Sequence, residues 1–514
     1  MLSQSIDLTD AVDSYREARL AEVRRLFGEI LDWLQARGAR LPLHRVEGEL
    51  LARFLPLGCA LVALWWSYRR PSSALRILRR RGSAYEYAGE SFDEVRTRFG
   101  GMRLPRSVYR RVSGSGAAKV SPADRLMGLA PGRMSLGVHL FAAWLYAQMP
   151  FERAREVMLR GGGYAPSNRS GHGIIDEYGP MAREFLETLA PPSDDGEVLV
   201  IVMDDKGVST IDEEEHRKRC RPHKKLGSGV SRRNARKLRK KTHRVRRKKK
   251  TDPKNARMAK VAVVYTLRRL PDGSFEGPVN RRVLATFKAR AVLVGMVKRE
   301  ARLRGYPGKR TLFLADGSKT LWAIQRDHFG EATACVDWFH VCEYISDAGS
   351  AVHKRGSEAL QEWVAVRHEE LRQDRADAVI EALKELRAQV GKCGPGTRGR
   401  RERIDAAIRF LGTLHEKKRL PYKELLAEGL EIGTGVIEGV IKHLIGSRLD
   451  GCGMRWGPMR AEHVLALRLV QVNDAWDDFE EYARTRHEAN ESWTVPRITP
   501  KGPQDVDHAC LEAA

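Results

Sequence analysis

The stretch Val198-Leu199-Val200-Ile201-Val202-Met203-Asp204-Asp205 decides the fold: six apolar residues in a row, closed by acid. A run that is apolar at every position offers water no face, so it reads as a strand covered on both sides. An acid at its end stands at the rim of a sheet rather than in its core. Asp204, in line with the run, is the first candidate for chemistry, and Asp205 beside it is the alternative.

The pattern recurs downstream. Thr311 to Ala315 is apolar and closes on Asp316; Ala259 to Leu267, Val283 to Phe287 and Thr333 to Val336 are further strand runs, and Ala289 to Leu303 fits a helix. Three strands, a helix, a fourth strand carrying an acid and a fifth strand make the order of an RNase H-like α/β sheet. Phe339 to Val390 is almost wholly helical, with Glu343, Glu358, Glu362 and Glu369 on exposed faces, and reads as an insertion before a last acid. That acid is Glu438, within Gly433-Thr434-Gly435-Val436-Ile437-Glu438-Gly439.

Three carboxylates gathered from two strands and a helix suit divalent metal. Phosphodiester hydrolysis or transfer needs an activated oxygen nucleophile, an in-line leaving group and neutralised charge, and two ions roughly 4 Å apart supply all three. Magnesium takes hard oxygen ligands, often one or two carboxylates plus substrate phosphate. Each acid also has a plain structural reading. Asp204 suits a strand-end turn, Asp316-Gly317 is an ordinary turn pair, and Glu438 is placed for an exposed ion pair with Lys442 one helical turn on. Only the trio together carries weight.

Charge points to the substrate class. The 514 residues carry a formal net charge of +25, and between Arg217 and Lys250 there are nineteen Lys/Arg and no Asp or Glu. One segment therefore holds +19 of the +25. Its densest part includes Arg236, Lys237, Arg239, Lys240, Lys241, Arg246, Arg247, Lys248, Lys249 and Lys250. It is either a solvated basic arm or a contact to nucleic-acid phosphates, the latter being the better reason for such density. The seven cysteines form no Cys-x-x-Cys pair, so neither a disulfide framework nor a zinc knuckle is indicated. The start Ser3 to Asp10 is acidic, unlike a signal peptide, and the apolar stretch Phe54 to Trp66 is too short to span a bilayer. A soluble cytoplasmic protein is expected.

Upstream of the core, helices are expected from Asp10 to about Ala36 and Val46 to about Ser67. A hairpin within Ala84 to Arg111 turning at Gly100-Gly101 follows, then short helices at Ser135 to Gln148, Phe151 to Leu159 and Ser167 to Glu177. The last three are either a common packing unit or a helix-turn-helix whose recognition side carries Arg153, Arg155, Arg160, Arg169 and His172. Pro191-Pro192-Ser193-Asp194-Asp195-Gly196 marks a boundary. The expected division is a helical region 1–82, a β-rich segment 83–132, a helix-turn-helix-like DNA-binding domain 133–190, a first core part 196–345 with a basic insertion 216–258, a helical insertion 346–430, a last core part 431–480 and a tail 481–514.

From about Gly128 to Val472 the motifs resemble the DDE transposases of bacterial insertion sequences, most closely the ISKra-type branch. Asp204-Asp205-Lys206-Gly207-Val208 is similar to that branch's Asp-Gly-Lys-Gly-Val block, Leu314-Ala315-Asp316-Gly317 to its second-acid block, and Gly433 to Gly439 to its Gly-Ser-Gly-x-x-Glu-Gly block. Asp337-Trp338-Phe339-His340-Val341-Cys342-Glu343-Tyr344 is similar to Asp-x-Phe-His-Val-x-Glu-Tyr, and Gly451-Cys452-Gly453-Met454-Arg455-Trp456 to Gly-Ser-Gly-Met-Arg-Trp. Asp205 in place of Gly and Thr434 in place of Ser are departures; the first puts an extra carboxylate beside the site.

The resemblance implies a bacterial, nucleoid-associated enzyme that cleaves double-stranded DNA at element terminal inverted repeats and joins the 3′ ends to target DNA. Asp204, Asp316 and Glu438 would hold two Mg²⁺ ions, or Mn²⁺ in their place, and at least a homodimer would pair the two ends. Asp337 and His340 would support the site or the DNA, and Arg455 with Trp456 would stack on an unpaired base, although His340 also suits a plain helix start and Trp456 a core position. Two other classes stay open. One is a metal-dependent nuclease or integrase of the same fold that does not join strands. The other is an inactive or domesticated DNA-binding relative, against which the presence of all three acids argues.

Overall fold

The computed structural model describes residues 5–80, 83–112, 119–211, 256–430, 432–451 and 454–489. The whole basic segment from Arg217 to Lys250, with its ten singled-out Lys and Arg residues, lies outside the described residues, as do Cys452, Gly453 and residues 490–514 of the expected tail. The chain divides into two compact units, one of residues 1–142, 151–171 and 480–514, the other of residues 143–150 and 172–479. The segment 133–190 is thus shared between them.

The first unit begins with a short strand β1 (Ser5–Asp7) and two long helices, α1 (Thr9–Ala36) and α2 (Leu43–Arg69), close to their expected bounds. Strands β2 (Ser73–Leu75), β3 (Ile77–Arg80), β4 (Ser83–Thr97) and β5 (Gly100–Arg111) follow, then α3 (Pro122–Leu126), β6 (Leu129–Ala130) and β7 (Met134–Ser135). Trp66 of α2 is fully buried with Val95 and Leu104 of the hairpin, and its indole N–H donates to the Pro105 carbonyl at 2.9 Å. The β4–β5 turn is not Gly100-Gly101 as expected. Thr97 pairs with Gly100, so Arg98-Phe99 forms the turn and both glycines open the return strand. Helix α2 also corrects the sequence estimate of its apolar length: helical structure continues beyond Phe54 to Trp66 at both ends, so by length and composition it is one helix that suffices to cross a membrane.

Helices α4 (Leu136–Gln148), α5 (Phe151–Gly161) and α6 (Asn168–Thr188) come next, the last running eleven residues past its expected end and through Pro180. The second unit then builds its sheet from β8 (Val198–Ser209), β9 (Ala256–Arg269), β10 (Phe275–Thr286), β11 (Arg310–Ala315) and β12 (Thr333–Val336), with α7 (Arg290–Leu303) and α8 (Lys319–His328) between strands. The strand order is β10-β9-β8-β11-β12: the first three pair antiparallel, and β8, β11 and β12 pair parallel. Val198 to Met203 and Thr311 to Ala315 are buried throughout, as central strands covered on both faces must be.

Beyond the sheet lie α9 (Trp338–Gly349), α10 (Glu358–Arg372), α11 (Ala376–Ala388), α12 (Thr397–Glu416), α13 (Tyr422–Ala427), α14 (Gly435–Ile441), a π-helical turn Lys442–Gly446, α15 (Pro458–Val472) and α16 (Trp476–Ala489). The protein is therefore a mixed α/β molecule with a mixed five-stranded sheet in its second unit, and the helical stretch expected after Phe339 is present as α9 to α11.

Candidate active site

Asp204 does not end its strand. β8 runs on to Ser209, paired residue for residue with β9, and what ends at Met203 is the parallel pairing with β11, whose last residue Ala315 lies opposite. Asp204 and Asp316 are therefore the next residues of neighbouring parallel strands, which lie about 4.8 Å apart. Glu438 arrives on α14, which packs against β8 and β9. Its neighbours Ile437, Val440, Ile441, Leu444 and Ile445 are buried while Glu438 itself is exposed, and among the described residues no ion pair joins it to Lys442. The surface-pair reading of Glu438 is not realised.

The acids act on one another. Burial pushes the Asp204 carboxyl above its ordinary range; the Asp205 N–H opposes that, and the charges of Asp316, Asp205 and Glu438 add to it. Asp204 Oδ1 accepts from Asp205 N at 2.6 Å and Asp316 Oδ1 from Ser318 N at 2.9 Å, so both acids are oriented by backbone donors. Among the described residues no group of three or more His, Cys, Asp or Glu stands close enough to ligate one ion. The oxygen donors and their sign fit a hard divalent cation, whereas the spacing of the side chains does not itself form a closed ligand set.

Neighbouring residues on a strand face opposite sides, and the structure separates the two aspartates accordingly. Asp205 forms a two-pronged ion pair with Arg290 at the start of α7, Nη1 to Oδ1 at 2.8 Å and Nη2 to Oδ2. The extra carboxylate is thus occupied by a cation of the chain itself. Gly317 lies within a turn, since Asp316 Oδ1 accepts from Ser318 N across it, and close approach adds a second demand: a Cβ there would lie 2.1 Å from the Phe410 ring of α12.

Asp337 is a positioning residue. It is buried, its N–H donates to the Ala315 carbonyl at 3.0 Å, Oδ2 accepts from His340 N at 3.2 Å to cap α9, and Oδ1 accepts from Thr434 N at 2.8 Å. Thr434 O in turn accepts from Glu438 N at 3.3 Å. Through its backbone N–H on one side and its carboxylate on the other, Asp337 therefore ties the end of β11, which leads into Asp316, to the first turn of the helix that carries Glu438. His340 lies in a ring cluster, 5.4 Å from Tyr344 and 5.8 Å from Phe410. Among the described residues no backbone carbonyl bonds to its ring, and Nδ1 stands 3.8 Å from Glu343.

Trp456 is a core residue. It is buried, its indole donates to Leu449 O at 3.0 Å, the Arg448 guanidinium lies 4.6 Å from its ring centroid, and its backbone bonds to Ser209 and Ile211. This corrects the base-stacking expectation, because its polar edge and one face are already engaged. Arg455 is exposed. Sequence reading missed two buried arginines behind α14. Arg448 Nε donates to Tyr146 O at 2.9 Å and Arg468 Nε to Leu444 O at 2.7 Å, and burial brings both guanidinium groups down to about 10. No short motif announces them, since their partners are carbonyls distant in sequence.

No family model matches the chain, and no curated protein matches it. Among solved structures, the Drosophila P element transposase strand transfer complex matches at 9% identity over 64% of this chain and 90% of that chain, with a TM-score of 0.26. A likeness of that size carries no argument about what this chain does.

Proposed function

We propose that this protein is a DNA transposase of the DDE type, cutting and joining DNA strands at a divalent-metal site built by Asp204, Asp316 and Glu438. The observation that carries the reading is the meeting of those three acids, brought from positions 112 and 122 residues apart to the point where the β8–β11 pairing ends, with the Glu438 helix packed on β8. The strand order β10-β9-β8-β11-β12, with three antiparallel strands followed by two parallel ones, supports an RNase H-like core. The ISKra-type motifs support the finer assignment, and the net charge of +25 supports a polyanionic substrate.

Asp204, Asp316 and Glu438 would hold a divalent cation, which would supply neutralisation of phosphate charge and a lowered pKa of bound water. The chain's own residues set the geometry. Asp204 and Asp316 present carboxylates from adjacent strands, Asp337 holds the α14 start, and Arg290 keeps Asp205 out of the cluster. The basic segment, entering after β8 and returning at β9, supplies backbone contacts to double-stranded DNA.

The test is cleavage and joining of labelled DNA carrying the element's terminal repeats, in Mg²⁺ or Mn²⁺, by wild type and Glu438→Gln. Joined products that require metal and vanish in the variant are the expected result. Cleavage without joining would favour a nuclease, and tight binding without cleavage by either protein a DNA-binding relative.

A further inference from the structure

The side of the β8–β9 ladder that takes Asp205 carries a second charged cluster. Lys260, paired in register with Asp205, feels the charges of Arg290, Glu462 and Arg257 as well. A cavity of about 510 Å³ opens there, lined among others by Gly179, Arg183, Arg257, Lys288, Glu462 and His463. A Cβ on Gly179 would stand 2.3 Å from the Cβ of His463, so only glycine permits this approach of α6 to α15.

Arg183 makes the cavity a binding candidate. Its side chain is 15% exposed and donates through Nη2 to Glu462 Oε1 at 2.8 Å, yet Nε and Nη1 are buried with no hydrogen-bond partner among the described residues. Glu462 does not supply them. Its Oε1 also accepts from Thr286 Oγ1 at 2.8 Å and its Oε2 from Phe287 N at 2.7 Å. Asp176 is engaged too, by Arg460 at 3.0 Å and His463 at 3.2 Å. A buried guanidinium with two unmet donors calls for an acceptor from outside. Exposed Arg257 and Lys288 add two cations against the exposed carboxylate of Glu184.

We infer that this cavity is a phosphate-binding site that holds a backbone phosphate of DNA. A tetrahedral oxyanion offers several acceptors to the guanidinium fork and to two flanking cations. DNA is the source favoured by position, because Arg257 follows the basic segment's last lysine, Lys250, by only seven residues and opens β9. This deepens the DNA-binding part of the proposed function and rests on it.

The experiment compares duplex-DNA affinity across a salt series for wild type, Arg257→Ser/Lys288→Ser, the charge-keeping Arg257→Lys/Lys288→Arg, and a variant neutralised at six positions of Arg236 to Lys250. The serine variant should flatten the slope of log affinity against log salt by about 1.8, at roughly 0.9 per lost contact, with the charge-keeping variant unchanged. If wild type does not bind DNA, the functional reading itself fails. If the arm variant loses slope while the serine variant matches wild type, this inference fails alone. Inorganic phosphate, set against chloride at equal ionic strength, separates the sources. Thermal stabilisation of wild type by phosphate without any slope change in the serine variant would assign the cavity to free phosphate and overturn the DNA assignment.

Discussion

The stretch of β8 that pairs with β11, Val198 to Met203, is flanked at its two ends by aspartates in opposite conditions. Just before the strand, Asp195 receives Arg304 through Nε at 3.0 Å and Nη2 at 2.6 Å, the Thr266 hydroxyl at 2.6 Å, Lys309 at 3.3 Å and Asn280 at 3.3 Å. Burial pushes its carboxyl up, but the hydrogen bonds from Arg304 and Thr266 and the Arg304 charge outweigh it and hold Asp195 well below the carboxylate range. Nine residues on, Asp204 is pushed upward, by burial first and then by the charges of Asp316, Asp205 and Glu438. The chain neutralises the first carboxylate with its own cations. It leaves the second among like charges, an arrangement that favours an external cation, as functional sites commonly do.

Substitutions at the two ends should therefore fail differently. Asp204→Asn and Asp316→Asn should each lower DNA cleavage by roughly 10²-fold or more, as loss of a preorganised charged group does, while duplex affinity stays within a few fold. Gel assays of cleavage and binding on the same preparations check this, and retained cleavage would make either residue structural. Asp195→Ala should instead cost about 3–5 kcal/mol in urea unfolding, because it removes the two-pronged partner of a guanidinium whose side chain is wholly buried and leaves it Glu300 at 3.8 Å. A smaller loss would mean that the Arg304 network relaxes.

Asp337→Ala tests the link between β11 and α14. Loss of the α9 cap and of the Thr434 contact should destabilise by about 1–3 kcal/mol and reduce cleavage without changing DNA affinity. Unchanged cleavage would remove its positioning role.

The smallest effect is in pH. Asp195, with a depressed folded-state pKa, contributes stability above the unfolded value near 3.8 that is lost as pH falls through and below it. Asp204, raised, does the reverse: its relative stability is present below 3.8 and lost as pH rises through its folded value. Metal-free Asp204→Asn should thus melt roughly 1–3 °C above wild type near neutral pH, and the gain should shrink toward pH 4. A gain that persists in acid would assign the effect to something other than the charge.

Much of this was legible before the structure. Continuous apolar runs located the five core strands, although β10 begins at Phe275, ahead of its run at Val283, and an acid closing each of two apolar runs placed Asp204 and Asp316. Beyond Met203 the reading stopped, since the polar half of β8 is strand only because β9 pairs with it, a long-range condition that no local period encodes. The choice between Asp204 and Asp205 needed Arg290, 85 residues away. Asp195 read as a linker residue because Pro191 to Gly196 has the composition of a turn, and its buried partner Arg304 lies 109 residues on. Trp456 was open between stacking and a core position because nothing in its motif names Leu449 or Arg448 as its neighbours.

The central claim is that the three like-charged acids form a cation site. Thermal unfolding of wild type and Asp204→Asn across a Mn²⁺ titration, without DNA, tests it most directly. A ligand that binds only the folded state raises stability with concentration, so the wild-type midpoint should climb with Mn²⁺ and that of Asp204→Asn should stay nearly flat. Equal shifts in the two proteins would place the ion elsewhere and contradict the account.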